Sequence, residues 1–272
     1  MAEKTRNNST ELTLANNTVR ETPSRRIIKT ILFEMQHMML PQFFQRHYPK
    51  MRSQYRSYKR ILRLLCRQAD ACFRFGGERS EINTKEIARE ILQQLPKIKE
   101  TLLLDAKAIY ECDPAARSIE EVMLSYPGFY AISVYRIAHE IYIRKIPFIA
   151  RIMTEIAHSK TGIDIHAGAT IGHSFCIDHG TGIVIGETAT IGNNVRIYQG
   201  VTLGAKSFLM SEDGSLIKGG KRHPDIGNNC IIYAGATILG GSTVIGDGCV
   251  IGGNVWLTHS VPPGQTVYYE GK

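Results

Sequence analysis

Apolar residues return every six positions between residues 162 and 267, and very few folds accept that period. Ile165, Ile171, Ile177, Ile183, Ala189, Val195 and Val201 form one row, and all but Ala189 are β-branched. Gly162, Gly168, Ser174, Gly180, Gly186 and Gly192 form a second row. After a break the first row resumes as Ile226, Ile232, Ile238, Val244, Val250 and Trp256, beside Gly240, Gly246, Gly252 and Gly264. A helix repeating every 3.6 residues cannot keep such rows on one side, and each interior Gly costs about 1 kcal/mol there. A parallel β-helix can hold them. Each hexad makes one short strand and one turn, the β-branched residue faces inward, and Gly takes the corner. Three hexads close a triangular coil, so residues 18 apart should stack, giving about five coils.

The break is itself informative. Residues 205–221 drop the period, are polar, and contain Asp213-Gly214 and Gly219-Gly220. A regular coil that extrudes such a loop gives up strand pairing locally, and loops of that length commonly bind or cover ligands. Thr202-Leu203-Gly204 and Arg222-His223-Pro224 bracket it.

The preceding part has another composition. Only Gly76, Gly77 and Gly128 of the 25 glycines lie before residue 161, and residues 1–160 carry 27 basic and 17 acidic side chains against 6 and 8 afterwards. The reading is α+β: a disordered tail over 1–22, an α-helical domain over 23–160, and the β-helix over 161–272. Helical stripes run through Ile61, Leu64, Leu65, Gln68 and Cys72, through Ile87, Ile91, Leu92 and Leu95, and through Ile98, Leu102, Leu103, Ala106 and Ile109. Asp113-Pro114 reads as an N-cap with Pro at the first helical position. Ser125-Tyr126-Pro127-Gly128 reads as a turn opening a further helix, and Pro147 starts the last, giving six or seven in all. No run reaches the roughly 18 apolar residues of a membrane span, and the tail has no apolar signal core. Six cysteines without a C-x-x-C pair fit reduced thiols in the cytoplasm. Arg46, Lys50, Arg52, Arg56, Lys59, Arg60, Arg63 and Arg67 form a basic run that reads either as a nucleic-acid face or as a solvated face near an oligomer rim.

A regular coil needs only apolar residues inside and short polar ones outside, so departures mark candidate chemistry. They are Asp164 and His166, Asp178-His179, Glu187, and Arg222-His223. His179 beside Asp164 or Asp178 has the minimum for general-base catalysis, an imidazole oriented by a carboxylate. His166, His173 and His179 do not have the spacing that stacks ligands on adjacent coils, so no metal site is expected.

Asp113-Pro114-Ala115-Ala116, Tyr126-Pro127-Gly128-Phe129, Tyr135-Arg136-Ile137-Ala138-His139, Gly162-Ile163-Asp164-Ile165-His166, Asp178-His179-Gly180-Thr181-Gly182, Val184-Ile185-Gly186-Glu187-Thr188-Ala189 and Lys221-Arg222-His223-Pro224 together resemble the serine O-acetyltransferases, left-handed β-helix hexapeptide acyltransferases. The resemblance covers roughly residues 100–265. It implies acetyl transfer from acetyl-CoA to L-serine, feedback inhibition by L-cysteine, no metal, and a homotrimer paired into a hexamer through the helices, with nucleic acid and membrane playing no part. By resemblance, His179 is the base and Asp164 its orienting carboxylate. Asp113 and Asp178 hold the serine ammonium, Arg222 with His223 holds its carboxylate, and Glu187 lies close by. Gly204, Ala205 and Ala234 line the CoA groove. The family's tail ending in Ile, which inserts into O-acetylserine sulfhydrylase, has no counterpart in Tyr268-Tyr269-Glu270-Gly271-Lys272, so the resemblance does not extend to that complex. An acyltransferase with a sugar or homoserine acceptor is the alternative.

Overall fold

The computed structural model describes residues 22–44, 54–77, 83–207, 211 and 219–269. The tail before Thr22, the first part of the basic run (Arg46, Lys50, Arg52), most of the 205–221 loop and the last three residues lie outside the described residues.

Seven helices come first among the described residues: α1 (Arg25–Met39), α2 (Gln54–Gly76), α3 (Thr84–Gln93), α4 (Leu95–Cys112), α5 (Ile119–Ser125), α6 (Pro127–Ile143) and α7 (Ile149–Thr161). Local sequence sets several of their ends. Ser24, Asn83 and Ser118 cap α1, α3 and α5 by accepting backbone N–H groups. Pro127 opens α6. Gly162, in the left-handed region at φ 72°, stops α7. One expectation fails here. Asp113 ends α4 rather than opening a helix; Ser118 does that, while the Asp113 carboxylate caps its own turn by accepting the Ala115 N–H at 2.8 Å. The last helix likewise begins at Ile149, after Phe148 at φ 65°. No described helix is long and apolar enough to cross a membrane.

Fourteen short strands among the described residues then build a left-handed parallel β-helix of five coils with three faces. The first face stacks β1 (Asp164–Ile165), β4 (Val184–Ile185), β7 (Thr202–Gly204), β10 (Thr237–Leu239) and β13 (Trp256–Leu257). The second holds β2 (Thr170–Ile171), β5 (Thr190–Ile191), β8 (Asp225–Ile226) and β11 (Val244–Ile245). The third holds β3 (Cys176–Asp178), β6 (Arg196–Tyr198), β9 (Ile231–Ile232), β12 (Val250–Ile251) and β14 (Thr266–Val267). Ile165, Ile185, Leu203, Ile238 and Leu257 stack along the inside of the first face, and all are buried.

The stacking interval departs from 18, and where it departs is instructive. Asp164 stands on Val184, Thr170 on Thr190 and Cys176 on Arg196, an interval of 20. The two extra residues enter at the corner after β3, where His179 takes φ 56° and Gly180 and Gly182 take φ 93° and 82°. Val184 on Thr202 restores 18, and Thr190 on Asp225 spans the loop. A single extra residue then makes the interval 19, as in Thr237 on Trp256. That slip reverses the later expectations. Val244 and Trp256 turn outward, 47% and 66% exposed, and Ile245, Ile251 and Leu257 fill the core instead.

The helices grip the first coil through α6. Tyr135 donates to the Ala169 carbonyl at 2.6 Å, and Arg136 to those of Ile171 and Gly172 at 3.3 and 2.7 Å. Arg136 is also paired, at 2.6 and 2.8 Å, with the fully buried Asp105 of α4, whose Oδ1 accepts the Phe175 N–H at 2.9 Å. Gly128 lets α6 sit on β3, since a Cβ there would lie 2.6 Å from the Ile177 carbonyl oxygen.

Candidate active site

The candidate residues gather on two edges of the prism. The edge between the third and first faces carries the acidic group. Asp178 ends β3, and Nε2 of His179 lies 3.9 Å from its Oδ1. The His179 side chain is 73% exposed, free to meet a ligand. Asp113 comes in from the end of α4. Its Oδ2 accepts the Tyr126 hydroxyl at 2.5 Å, and this bond, with that from the Ala115 N–H, holds the Asp113 carboxyl below its usual range. The same contact pushes the Tyr126 phenol up to about 12.

Asp164 opens β1, beyond the point where Thr181 backs onto Gly162, so it flanks the same corner as His179. Among the described residues no hydrogen bond or ion pair joins it to His179. It faces α7 instead, with Arg151 Nη1 at 4.0 Å. Asp164, Glu155 and His158 bring ligand atoms within 4.8 Å of one another. Arg151 reaches both carboxylates, Glu155 at 2.6 Å and Asp164 at 4.0 Å, and offsets part of their charge.

The edge between the first and second faces carries the basic group. Arg222 Nη2 donates to Glu187 Oε2, and the Tyr142 hydroxyl donates to Glu187 Oε1 at 2.6 Å. Those two donors keep the Glu187 carboxyl below its ordinary value, Tyr142 foremost. His223 is 7% exposed, and burial, helped by the Arg222 charge, lowers it to about 4, so the ring is neutral near pH 7. Its Nδ1 accepts the Thr188 N–H at 3.1 Å, while Thr188 Oγ1 accepts the N–H groups of Arg222 and His223 at 3.0 and 3.1 Å. Gly186 is required by space and not by φ, because a Cβ there would collide with the His223 ring. Burial also lowers His166, which packs edge-on against Tyr142 at 5.6 Å.

Of the expected groove residues, Ala234 follows the first edge, whereas Gly204 and Ala205 stand at the edge that carries Arg222. Thr181, Gln199 and Ala234 occupy matching corners, since Gly200 N–H donates to the Thr181 carbonyl and Gly235 N–H to that of Gln199. Gly182, Gly200 and Gly235, all at positive φ, stack beside them without side chains. A bare strip of backbone therefore runs from the His179 corner to Ala234, two coils or roughly 10 Å along the axis. Gly204 ends β7 on the adjoining face and Ala205 follows it, both half-buried.

Tyr126, Tyr142 and Thr188 complete both groups, and no role had been assigned to them from sequence. Tyr142 had a signal: Tyr135, His139 and Tyr142 repeat at i, i+4, i+7 on α6, the face laid on the first coil. Of the basic run, Arg60 pairs with Glu34, and Lys59, Arg63 and Arg67 line the exposed side of α2, as a solvated helix face does.

The family model "Serine acetyltransferase, N-terminal" matches residues 77–134. The serine acetyltransferase of Bacillus subtilis is 47% identical over 176 residues, 62% of this chain and 76% of that relative. The chain belongs to the serine acetyltransferase family. A plasmid-borne serine acetyltransferase of Synechococcus elongatus is 57% identical over 185 residues, 68% of this chain but 58% of that relative's length. Among solved structures, serine acetyltransferase 1 of Entamoeba histolytica in complex with L-cysteine matches with a TM-score of 0.75 and 39% identity over 88% of this chain and 86% of that one. The Neisseria gonorrhoeae enzyme in complex with serine matches with a TM-score of 0.58 and 31% identity, over 88% and 93%. The family's helical segment and its coil are both represented in this chain.

Proposed function

We propose that the chain transfers acetyl from acetyl-CoA to the hydroxyl of L-serine, giving O-acetyl-L-serine and CoA, the first step of cysteine biosynthesis. One observation carries the reading: an exposed imidazole and two carboxylates stand at the start of a side-chain-free backbone strip. Serine is a zwitterion whose weak nucleophile must lose a proton. Asp113 and Asp178 suit its ammonium group. Arg222 suits its carboxylate through a planar guanidinium fork, with Glu187 and Tyr142 presetting the fork's direction. His179 takes the hydroxyl proton as the oxygen attacks the thioester carbon, a service worth ~10²–10⁴-fold. The tetrahedral adduct then expels the thiolate of CoA, which recovers that proton. Asp164 flanks the corner on which a turned imidazole would find it, and orients the ring. The bare edge past Gly182, Gly200 and Gly235 takes the pantetheine arm, with Ala234 along it and Gly204 and Ala205 contributed from the other edge of the first face.

The acidic and basic groups stand on opposite edges of the first face. Threefold packing of identical chains brings one edge of each against the other edge of its neighbour, so each site takes His179 from one chain and Arg222 from the next. The helical domains pair two such trimers. L-Cysteine differs from serine by sulfur for oxygen and fits the same two poles, which supports competitive feedback inhibition. Six free thiols suit the cytoplasm. The deciding assay is thiol release from acetyl-CoA across L-serine, L-homoserine and amino-sugar acceptors. Release with serine supports the proposal, and release only with another acceptor overturns it.

A further inference from the structure

Cys112 and Cys176 have no part in the chemistry above, yet they touch its acidic corner. Cys112 is the last residue of α4, immediately before Asp113, and Cys176 opens β3, two residues before Asp178. Their proximity is imposed by the fold. Asp105, two turns before Cys112 on α4, accepts the N–H of Phe175 at 2.9 Å, and α4 packs against β3, which begins at the next residue. The Cys176 thiol and the guanidinium of Arg196, the ladder partner of Cys176, both lie near enough to the Cys112 sulfur to interact with it. Cys112 is half-buried and open to small solutes, whereas Cys176 is buried.

We propose that Cys112 and Cys176 form a redox-sensitive pair, and that their oxidation to a disulfide by a peroxide shifts Asp113 and suppresses serine acetylation. The activity clause rests on the serine reading above; the disulfide does not. The roles of the two sulfurs are distinct. The neighbouring Cys176 thiol and the Arg196 charge hold the Cys112 thiol below its ordinary range, while the contact with Cys112 and burial push Cys176 up. Cys112, the sulfur open to small solutes, is thus the attacking thiolate. It attacks one peroxide oxygen, the O–O bond breaks, and the departing hydroxide leaves as water, giving a sulfenic acid. The Cys176 sulfur then attacks the Cys112 sulfur, the S–O bond breaks, and the second oxygen leaves as water with the Cys176 proton. Two electrons pass from the thiols to the peroxide.

Neighbouring thiols must still close to reach the ~2.05 Å of an S–S bond. The β3 side is pinned by its ladder, so the end of α4 moves, and Asp113 is the next residue. Misplacement of about 1 Å at a binding group costs up to ~10²-fold in rate.

The test treats the purified full-length protein with hydrogen peroxide, blocks remaining thiols by alkylation, and maps peptides without reduction. The expected result is a mass loss of about 2 Da, a single link between the Cys112 and Cys176 peptides, and a ten- to hundredfold fall in kcat/KM for serine that dithiothreitol restores. Cys112→Ser and Cys176→Ala should each form no link and keep their activity under peroxide. A link between Cys230 and Cys249, which stack in the core, or retention of six alkylatable thiols, would overturn the proposal. So would a Cys112–Cys176 link that leaves serine turnover unchanged. The reduced protein, assayed alone, reports on the serine reading separately.

Discussion

Nδ1 of His223 accepts the backbone N–H of Thr188 at 3.1 Å, and that bond fixes the tautomer: the ring proton sits on Nε2. The Thr188 hydroxyl, itself accepting two N–H groups, lies 2.9 Å from the same nitrogen. His223 is therefore a fixed, neutral donor, whereas the His179 imidazole at the other edge is exposed.

That neutrality has a pH signature. Burial keeps His223 at about 4 in the folded chain, against about 6.5 for an unfolded histidine. Between those values the unfolded chain binds a proton that the native chain refuses, so stability rises with pH there. The contribution is complete above about pH 6.5 and is lost as pH falls toward about 4. Urea midpoints measured from neutral to acid pH should fall less steeply in His223→Asn than in the parent; equal slopes would refute the assignment.

Gly186→Ala tests the packing behind that ring. The added methyl meets the His223 imidazole directly. Overpacking of this kind costs about 1–3 kcal/mol, so the urea midpoint should drop and the Thr188–His223 bond should be lost with it. A parent-like midpoint would show that the ring yields freely.

Asp105→Ala addresses the junction of helices and coil. It leaves Arg136, 9% exposed, without its bidentate partner, and breaking a buried pair costs about 3–5 kcal/mol. The double change Asp105→Leu with Arg136→Met should recover much of that loss in denaturant titrations, since no charge is then left alone.

Asp113→Asn keeps the shape of the acidic corner and removes its charge. KM for serine should rise at least tenfold with a smaller change in kcat, while KM for acetyl-CoA stays put. A loss confined to kcat would instead place Asp113 in the chemical step.

Shared sites predict rescue. His179→Ala and Arg222→Ala should each be inactive alone. Dissociated, mixed and reassembled one to one, random trimers place an intact His179 beside an intact Arg222 in about a quarter of sites. Activity near that fraction supports sites between chains, and no recovery supports sites within one.

Much of this was legible in the spacing of Ile and Gly, because a parallel coil stacks like on like and leaves a row in the sequence. Ile165, Ile171 and Ile177 sit where their period puts them. The row failed at Val244 and Trp256, since one residue added at a corner shifts everything after it to the other side of the wall. Asp113 misled as a cap because Asp-Pro carries the same chemistry at a helix start and in an irregular turn. Tyr126 and Thr188 escaped notice for a different reason: their value lies in contacts to residues 13 and 35 positions away.

The two residues added at the His179 corner have a consequence beyond placing a base. In a stacked coil each rung takes its register from the rung below, so extra length at a corner bulges outward and is forgotten one turn later. Val184 already stands 18 residues from Thr202. Corners can therefore lengthen one at a time, by two residues at His179 or by a whole loop before Arg222, without re-threading the core. Such a prism can acquire chemistry edge by edge while its interior stays unchanged.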